Sequence, residues 1–202
     1  MRAPITLAVE GATDVVVAKR LLQEAGLEPG VEYVTNGKGA LDQRLAGYNH
    51  AARFSCWLVL RDLDRDADCA PTLARRLLPK QATHMRLHVA VHAIESWLMA
   101  DSEAISRYLS VTQASVPMSP DAIEDPKRAL LELARRSTKR VVREAMLPSE
   151  GTSARVGPGF SSFMIEFATT RWRPPVAASK SESLERLRRF LESASDRSKG
   201  AR

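Results

Sequence analysis

Cysteine is scarce in this chain. Cys56 and Cys69 are the two cysteines among 202 residues, too few for a disulfide scaffold, and their settings suit reduced thiols in a cytosolic compartment. No apolar run is long enough to cross a bilayer, and the first residues lack the apolar region of a signal peptide, so a cytoplasmic protein without a membrane partner is expected. Internal repeats and long low-complexity tracts are absent. There is no Cys/His set at zinc spacing and no local Ser/His/Asp or Cys/His arrangement. Asn36-Gly37-Lys38-Gly39 could approach a phosphate, but it lacks the P-loop spacing and a following Ser or Thr, and reads as a turn.

What is present is an alternation. Pro4–Glu10, Val31–Val34, Cys56–Leu60 and Met85–Val91 read as strands. Helices are expected after each of them: one capped by Thr13 or Asp14 and stopped by Gly26, one over Ala40–Arg53, one from Pro71 to about Leu78, and one holding Trp97. Such alternation is the signature of a parallel sheet with helices on its faces, which places ligands beyond the carboxyl ends of the strands. Glu10, Asp62 and Glu95 all stand at or just past such ends. After Asp101 the pattern becomes helical: Ser102–Leu109, Pro126–Arg136, Thr138–Met146, Ser161–Arg171 and Ser181–Ser193. Pro148–Gly159 reads as a flexible loop, Trp172-Arg173-Pro174-Pro175 as a helix separator, and the tail from Ser195 as frayed.

The densest chemical signal is Cys56-Trp57-Leu58-Val59-Leu60-Arg61-Asp62-Leu63-Asp64-Arg65-Asp66-Ala67-Asp68, a strand that runs into four aspartates at alternate positions. Carboxylates about 4 Å apart repel by roughly 4 kcal/mol at an effective dielectric near 20. A divalent cation would turn that repulsion into coordination, and oxygen-only ligands suit Mg²⁺, Mn²⁺ or Ca²⁺. A solvated Asp-rich turn is the plainer alternative. An EF-hand loop does not fit, because Ala67 stands where the template needs Gly and Leu73 where it needs Glu. His84, His88 and His92 fall on one face of a strand, where core packing is the simpler role. Glu95 either belongs to the site or caps the helix of Trp97.

Val9-Glu10-Gly11-Ala12-Thr13-Asp14 followed by a helix, and a hydrophobic strand ending in Asp62-Leu63-Asp64, resemble the TOPRIM domain of topoisomerases, primases and related nucleases. Ala93-Ile94-Glu95-Ser96-Trp97-Leu98-Met99-Ala100-Asp101 and Asp125-Pro126-Lys127 resemble a family of small stand-alone bacterial TOPRIM-like proteins whose function is unassigned. The resemblance covers roughly residues 5 to 190. It implies a Rossmann-like, mostly parallel α/β core. The expected organisation is that core over residues 1–110 with a basic helical extension over residues 111–202 packed on it, as one structural domain. The resemblance also implies Mg²⁺ (or Mn²⁺) at Asp62 and Asp64, with Glu10 as general acid or base. The residues themselves add that Glu10 can complete the metal shell or move a proton, that Glu95 can serve as an auxiliary ligand or base, and that Gly11 can bring helix-start N–H groups near a bound anion. Topoisomerases add a catalytic tyrosine, and Tyr33, Tyr48 and Tyr108 have no such context, so strand passage is not expected.

Charge points the same way. Residues 1–124 hold 13 Lys or Arg against 15 Asp or Glu, a net of −2, whereas residues 125–202 hold 17 against 9, a net of +8. An acidic first part and a basic second part suit a polyanionic partner. Arg135, Arg136, Lys139, Arg140 and Arg143 are the expected nucleic-acid contacts, although the solvated face of an ordinary helix would look the same. The expected function is a Mg²⁺-dependent nuclease or phosphoryl-transfer protein acting on nucleic acid. The alternative is a non-catalytic nucleic-acid- or nucleotide-binding subunit, for which the resemblance implies a separate ATPase as partner in a bacterial defence system.

Overall fold

The computed structural model describes the backbone of residues 3–200 and the side chains of residues 3–196. Four strands, β1 (Ile5–Val9), β2 (Pro29–Val34), β3 (Trp57–Asp62) and β4 (Met85–Ala90), form one all-parallel sheet in the order β2-β1-β3-β4. Every residue of β3 is buried, because it is central and helices cover both of its faces. The alternation of the strands assigns the faces. Leu7, Val9, Leu58 and Leu60 point into the larger apolar cluster, whereas Ala8, Trp57, Val59 and Leu87 point into a smaller one.

The smaller cluster is closed by α2 (Lys38–Ala51) and by residues beside α3 (Ala70–Leu77). The larger one takes Val17, Leu21 and Leu22 of α1 (Ala12–Glu24) and the wholly buried α4 (Ile94–Ala100). Gly26, at φ 67°, ends α1: its N–H donates to Gln23 O and the Leu27 N–H to Leu22 O, while Leu27 turns inward.

The second half is helical, with α5 (Ser102–Leu109), two 3₁₀ turns (Gln113–Ser115 and Pro120–Ala122), α6 (Pro126–Arg135), α7 (Arg140–Met146), α8 (Phe160–Thr170), α9 (Pro174–Ala178) and α10 (Glu182–Gly200). Leu130, Val142, Phe160, Phe167, Leu184 and Leu187 enter the larger cluster beside Leu7 and Val17, so the helical part packs directly on the sheet layer.

Three expectations change. Pro174 and Pro175 open α9 instead of separating helices, since proline is tolerated in a first helical turn. The residues from Ser195 to Gly200 continue α10, and residues 201–202 lie outside the described residues. The far end of the Pro148–Gly159 loop is docked on α7: Gly157 N–H donates to Met146 O at 2.7 Å and Gly159 N–H to Ala145 O at 2.8 Å. A Cβ at Gly157 would stand 2.4 Å from Ala145 O, so glycine is needed there for the close approach.

Polar bonds tie the halves together. Arg173 forks onto the fully buried Asp101, with Nε to Oδ2 at 2.9 Å and Nη2 to Oδ1 at 2.6 Å. Trp172 Nε1 donates to Trp97 O at 3.1 Å, and Trp97 Nε1 donates to Ser183 Oγ at 2.7 Å.

Candidate functional site

β1, β3 and β4 are neighbours in the sheet, so Glu10, Asp62 and Glu95 leave adjacent parallel strands at the same end. The backbone links two of them: Glu10 Oε1 accepts from the Asp62 N–H at 3.0 Å. Asp62, 8% exposed, accepts from the Ile94 N–H through Oδ1 at 3.0 Å, which fixes the start of α4. Glu95, 6% exposed, sits one residue further on. Its counter-charge is Lys127 on the first turn of α6, whose Nζ stands 3.6 Å from Glu95 Oε1 and is half-exposed.

Asp14 is the fourth carboxylate. Its Oδ2 accepts from the Gly11 N–H at 2.8 Å and from the Glu10 N–H at 3.1 Å. The capping motif that starts α1 therefore delivers a carboxylate into the same charge field.

The electrostatics show how crowded this end of the sheet is. Burial holds the Asp62 carboxyl well above the usual carboxylate range, and Glu95, Asp14 and Glu10 push it further up. Burial raises Asp14 to about 6, against the pull of the Gly11 N–H, with Glu95 adding to the rise. Glu95 is raised by burial and moderated by Lys127, and Glu10 is raised by burial and moderated by the Asp62 N–H and Arg61.

A pH dependence follows. These carboxyls keep their protons to higher pH in the folded protein than in the unfolded chain. Their contribution to stability is therefore fully present below the unfolded value and is lost as pH rises through the folded one, which for Asp14 means from about 4 to about 6. Thermal unfolding in EDTA is expected to show a higher melting temperature at pH 5 than at pH 7.5, and Asp14→Asn should flatten that difference. A melting temperature that climbs steadily from pH 5 to 7.5, unchanged by the substitution, would contradict the arrangement.

Of the four alternate aspartates, Asp62 is buried in this group, and Asp64 adds its charge to the field on Glu10 and Glu95 from the edge. Asp64, in the left-handed region at φ 47°, turns out to Lys38, with Nζ to Oδ2 at 2.9 Å, and the same amine reaches Asp66 Oδ1 at 2.9 Å. Asp66 Oδ2 also takes Arg61 Nη2 at 2.6 Å. The Arg61 side chain, 2% exposed, is held in addition by Asp42, with Nε to Oδ1 at 3.0 Å, and lies 3.7 Å from Glu10. Folding therefore offsets much of the repulsion that the sequence suggests, through one buried arginine and one lysine. Asp68 remains at the exposed rim.

An oxygen-only donor set with one half-exposed lysine against four carboxylates suits a hard divalent cation. Among the described residues, however, no three His, Cys, Asp or Glu side chains are gathered closely enough to hold a metal ion. Glu10 and Asp62 each give one oxygen to a backbone N–H, and Asp64 is paired with Lys38.

Other expected residues fall as follows. Gly11 is in extended backbone that any residue adopts, and its N–H is taken by Asp14, so no turn there depends on glycine. His88 is buried, bonds to Ser183 O through Nε2 at 2.9 Å and is pushed down to about 3 by burial, which makes it a neutral core residue. His84 is exposed. His92, at φ 59°, encloses an Nδ1 without a partner and lines an open cleft of about 570 Å³ with Asp64, Asp66 and Asp68. Arg135, Arg136, Lys139 and Arg140 are exposed around the junction of α6 and α7; Arg135 pairs with Glu132, Arg140 pairs with Glu144, and Arg143 donates to Ser137 O.

No family model matches the chain, and no curated protein matches it. One solved structure does. The chain is similar to the C-terminal region of the Burkholderia pseudomallei OLD protein, at 17% identity and a TM-score of 0.45, over 96% of this chain and all of that one. None of the described helices is long and apolar enough to cross a membrane.

Arg61, Asp42 and Lys127 are the members of this constellation to which sequence reading gave no role. Arg61 had one local signal, a charge inside an otherwise apolar strand. Asp42 had none, because its pairing joins two distant elements.

Proposed function

We propose that this protein is a Mg²⁺- or Mn²⁺-dependent nuclease or phosphoryl-transfer enzyme of TOPRIM type that acts on nucleic acid. The observation that carries this reading is the convergence of Glu10, Asp14, Asp62 and Glu95 at the carboxyl end of three adjacent parallel strands, with Lys127 facing them. Asp62 would hold the cation, with Asp64 exchanging Lys38 for it and Glu10, Asp14 and Glu95 completing the negative field. A bound divalent ion would stabilise charge developing on a phosphate and lower the pKa of a bound water.

The chain's own residues supply the rest. Lys127 is placed to attract and orient a phosphate beside the carboxylates. Glu10, whose carboxyl is raised by burial, is suited to take up a proton during attack and return it to a leaving oxygen. Arg61 and Lys38 keep the acidic loop folded against the sheet. Lys127 is the second residue of α6 and Arg135 the last, eight rises of 1.5 Å apart, or about 12 Å along the helix. A strand that lies with one phosphate at Lys127 would therefore reach Arg135, Arg136, Lys139, Arg140 and Arg143 a few nucleotides away.

The direct test is cleavage of end-labelled single- and double-stranded DNA and RNA with Mn²⁺, with Mg²⁺ and with EDTA. Cleavage that requires the metal supports an enzyme. Binding without cleavage under all three conditions points to the second reading, a non-catalytic nucleic-acid- or nucleotide-binding subunit that works with a separate ATPase. That reading is favoured by one observation, the absence of three gathered ligands among the described residues.

A further inference from the structure

The outer edge of β4 lies away from this site and is bordered by α3 and α10. Side chains close parts of that edge: Gln81 Oε1 accepts from the Leu87 N–H at 3.0 Å, and Ser183 Oγ accepts from the Val91 N–H at 3.4 Å. Between the two helices is a cleft of about 660 Å³, within the range of roughly 300–1,000 Å³ that small-molecule sites occupy. Its lining includes the apolar Ala70, Pro71, Ala74 and Leu87 and the cations Arg75, Arg86, Lys180 and Arg186.

The charges there are unevenly compensated. The two carboxylates on the cleft are already engaged, Asp121 by Ser181 and Ser183, and Glu182 by Arg186. Lys180 donates to Ser102 Oγ at 2.7 Å. Arg75 and Arg86 form no ion pair among the described residues, and Arg86 Nε is buried without a hydrogen-bond partner. The Arg86 guanidinium is nevertheless held in place, with Cζ 4.4 Å from the centroid of the Phe190 ring. His88, on the same face of β4, is neutral and supplies no competing charge.

A half-buried arginine stacked on Phe190 without an ion pair, with a second arginine without one on the same cleft, suits an anion, and the apolar part of the lining suits a ligand that also carries a flat apolar group. Arginine is the side chain best matched to the oxygens of a phosphate. We propose that the cleft between α3 and α10 binds a phosphate-bearing nucleotide unit, free or within a nucleic-acid strand, with Arg86 and Arg75 on the phosphate. The site does not depend on the carboxylate cluster or on metal.

The test is equilibrium binding in EDTA, which keeps metal chemistry out of the measurement. The probes are AMP, pyrophosphate and a fluorescein-labelled (dT)₁₂ followed by anisotropy. Arg86→Gln and Arg75→Gln are each expected to weaken binding at least tenfold, and Arg44→Gln, on the exposed face of α2, should leave it unchanged. Displacement of the oligonucleotide by AMP identifies a free-nucleotide site, and resistance to AMP identifies a strand site. Arg75 is exposed, so Arg75→Gln tests the proposal even if Arg86→Gln perturbs the packing against Phe190. Absence of binding by all three probes, or affinity unchanged in a folded Arg75→Gln variant, would overturn it.

Discussion

Asp62→Asn is expected to lower metal-dependent cleavage by about a hundredfold or more. Asp62 is nearly fully buried at the end of β3, and its carboxyl is raised by that burial and by Glu95, Asp14 and Glu10. Replacing it with an amide keeps the shape and the bond to the Ile94 N–H but removes the charge on which a hard cation depends. Glu10→Gln should cost about 10² to 10⁴ in rate, the usual contribution of a positioned acid–base group, with less effect on metal affinity. The split between rate and metal affinity is the informative readout. A ligand loses both, and a proton-transfer group loses chiefly the rate. Wild-type cleavage rates in both variants would remove these carboxylates from the chemistry.

Trp97→Ala is expected to be the most damaging single substitution for stability. Trp97 is fully buried in α4, its indole N–H bonds Ser183 at the start of α10, and its carbonyl accepts from Trp172. The residue therefore joins the sheet layer to two elements of the helical half. A buried Trp→Ala change costs about 3–5 kcal/mol. In a chain of this size 1 kcal/mol moves the melting temperature by about 2–4 °C, so a fall of about 6–20 °C is predicted by calorimetry or circular dichroism. Trp97→Phe should cost less, because the ring volume largely remains and the hydrogen bond is what is lost. A loss in Trp97→Ala no larger than that of Phe54→Ala, a side chain at 82% exposure, would show that the two halves are not held together here.

The sheet was legible because its strands are short apolar runs that end at turn residues, and because Gly26 and Pro71 punctuate the helices. Boundaries such as Ser102–Leu109 follow from capping chemistry, with Asp101 accepting from the Ala104 N–H. The α9 helix was hidden by Pro174 and Pro175, whose breaking effect depends on position within a turn. At the site, strand ends alone singled out Glu10, Asp62 and Glu95. The aspartate run was the harder case. Its repulsion was correct in principle, but Lys38 of α2 and Arg61 at the head of the run offset it for Asp64 and Asp66. Such pairings join residues 5 to 28 positions apart, and no local pattern announces them.

The central claim, which carries the proposed function, is that the carboxylates around Asp62 at the end of β1, β3 and β4 take up a divalent cation. The most direct measurement is a Mn²⁺ titration of the metal-free protein at pH 7.5, followed by thermal unfolding, in the wild type and in Asp62→Asn. A ligand at about 100 times its Kd adds about 2.7 kcal/mol of stability, so the wild-type melting temperature should rise to a plateau. The Asp62→Asn protein should give no rise, while starting slightly more stable than the metal-free wild type because one repelling charge has gone. Superimposable melting curves with and without Mn²⁺ in both proteins would contradict the site and the nuclease reading built on it.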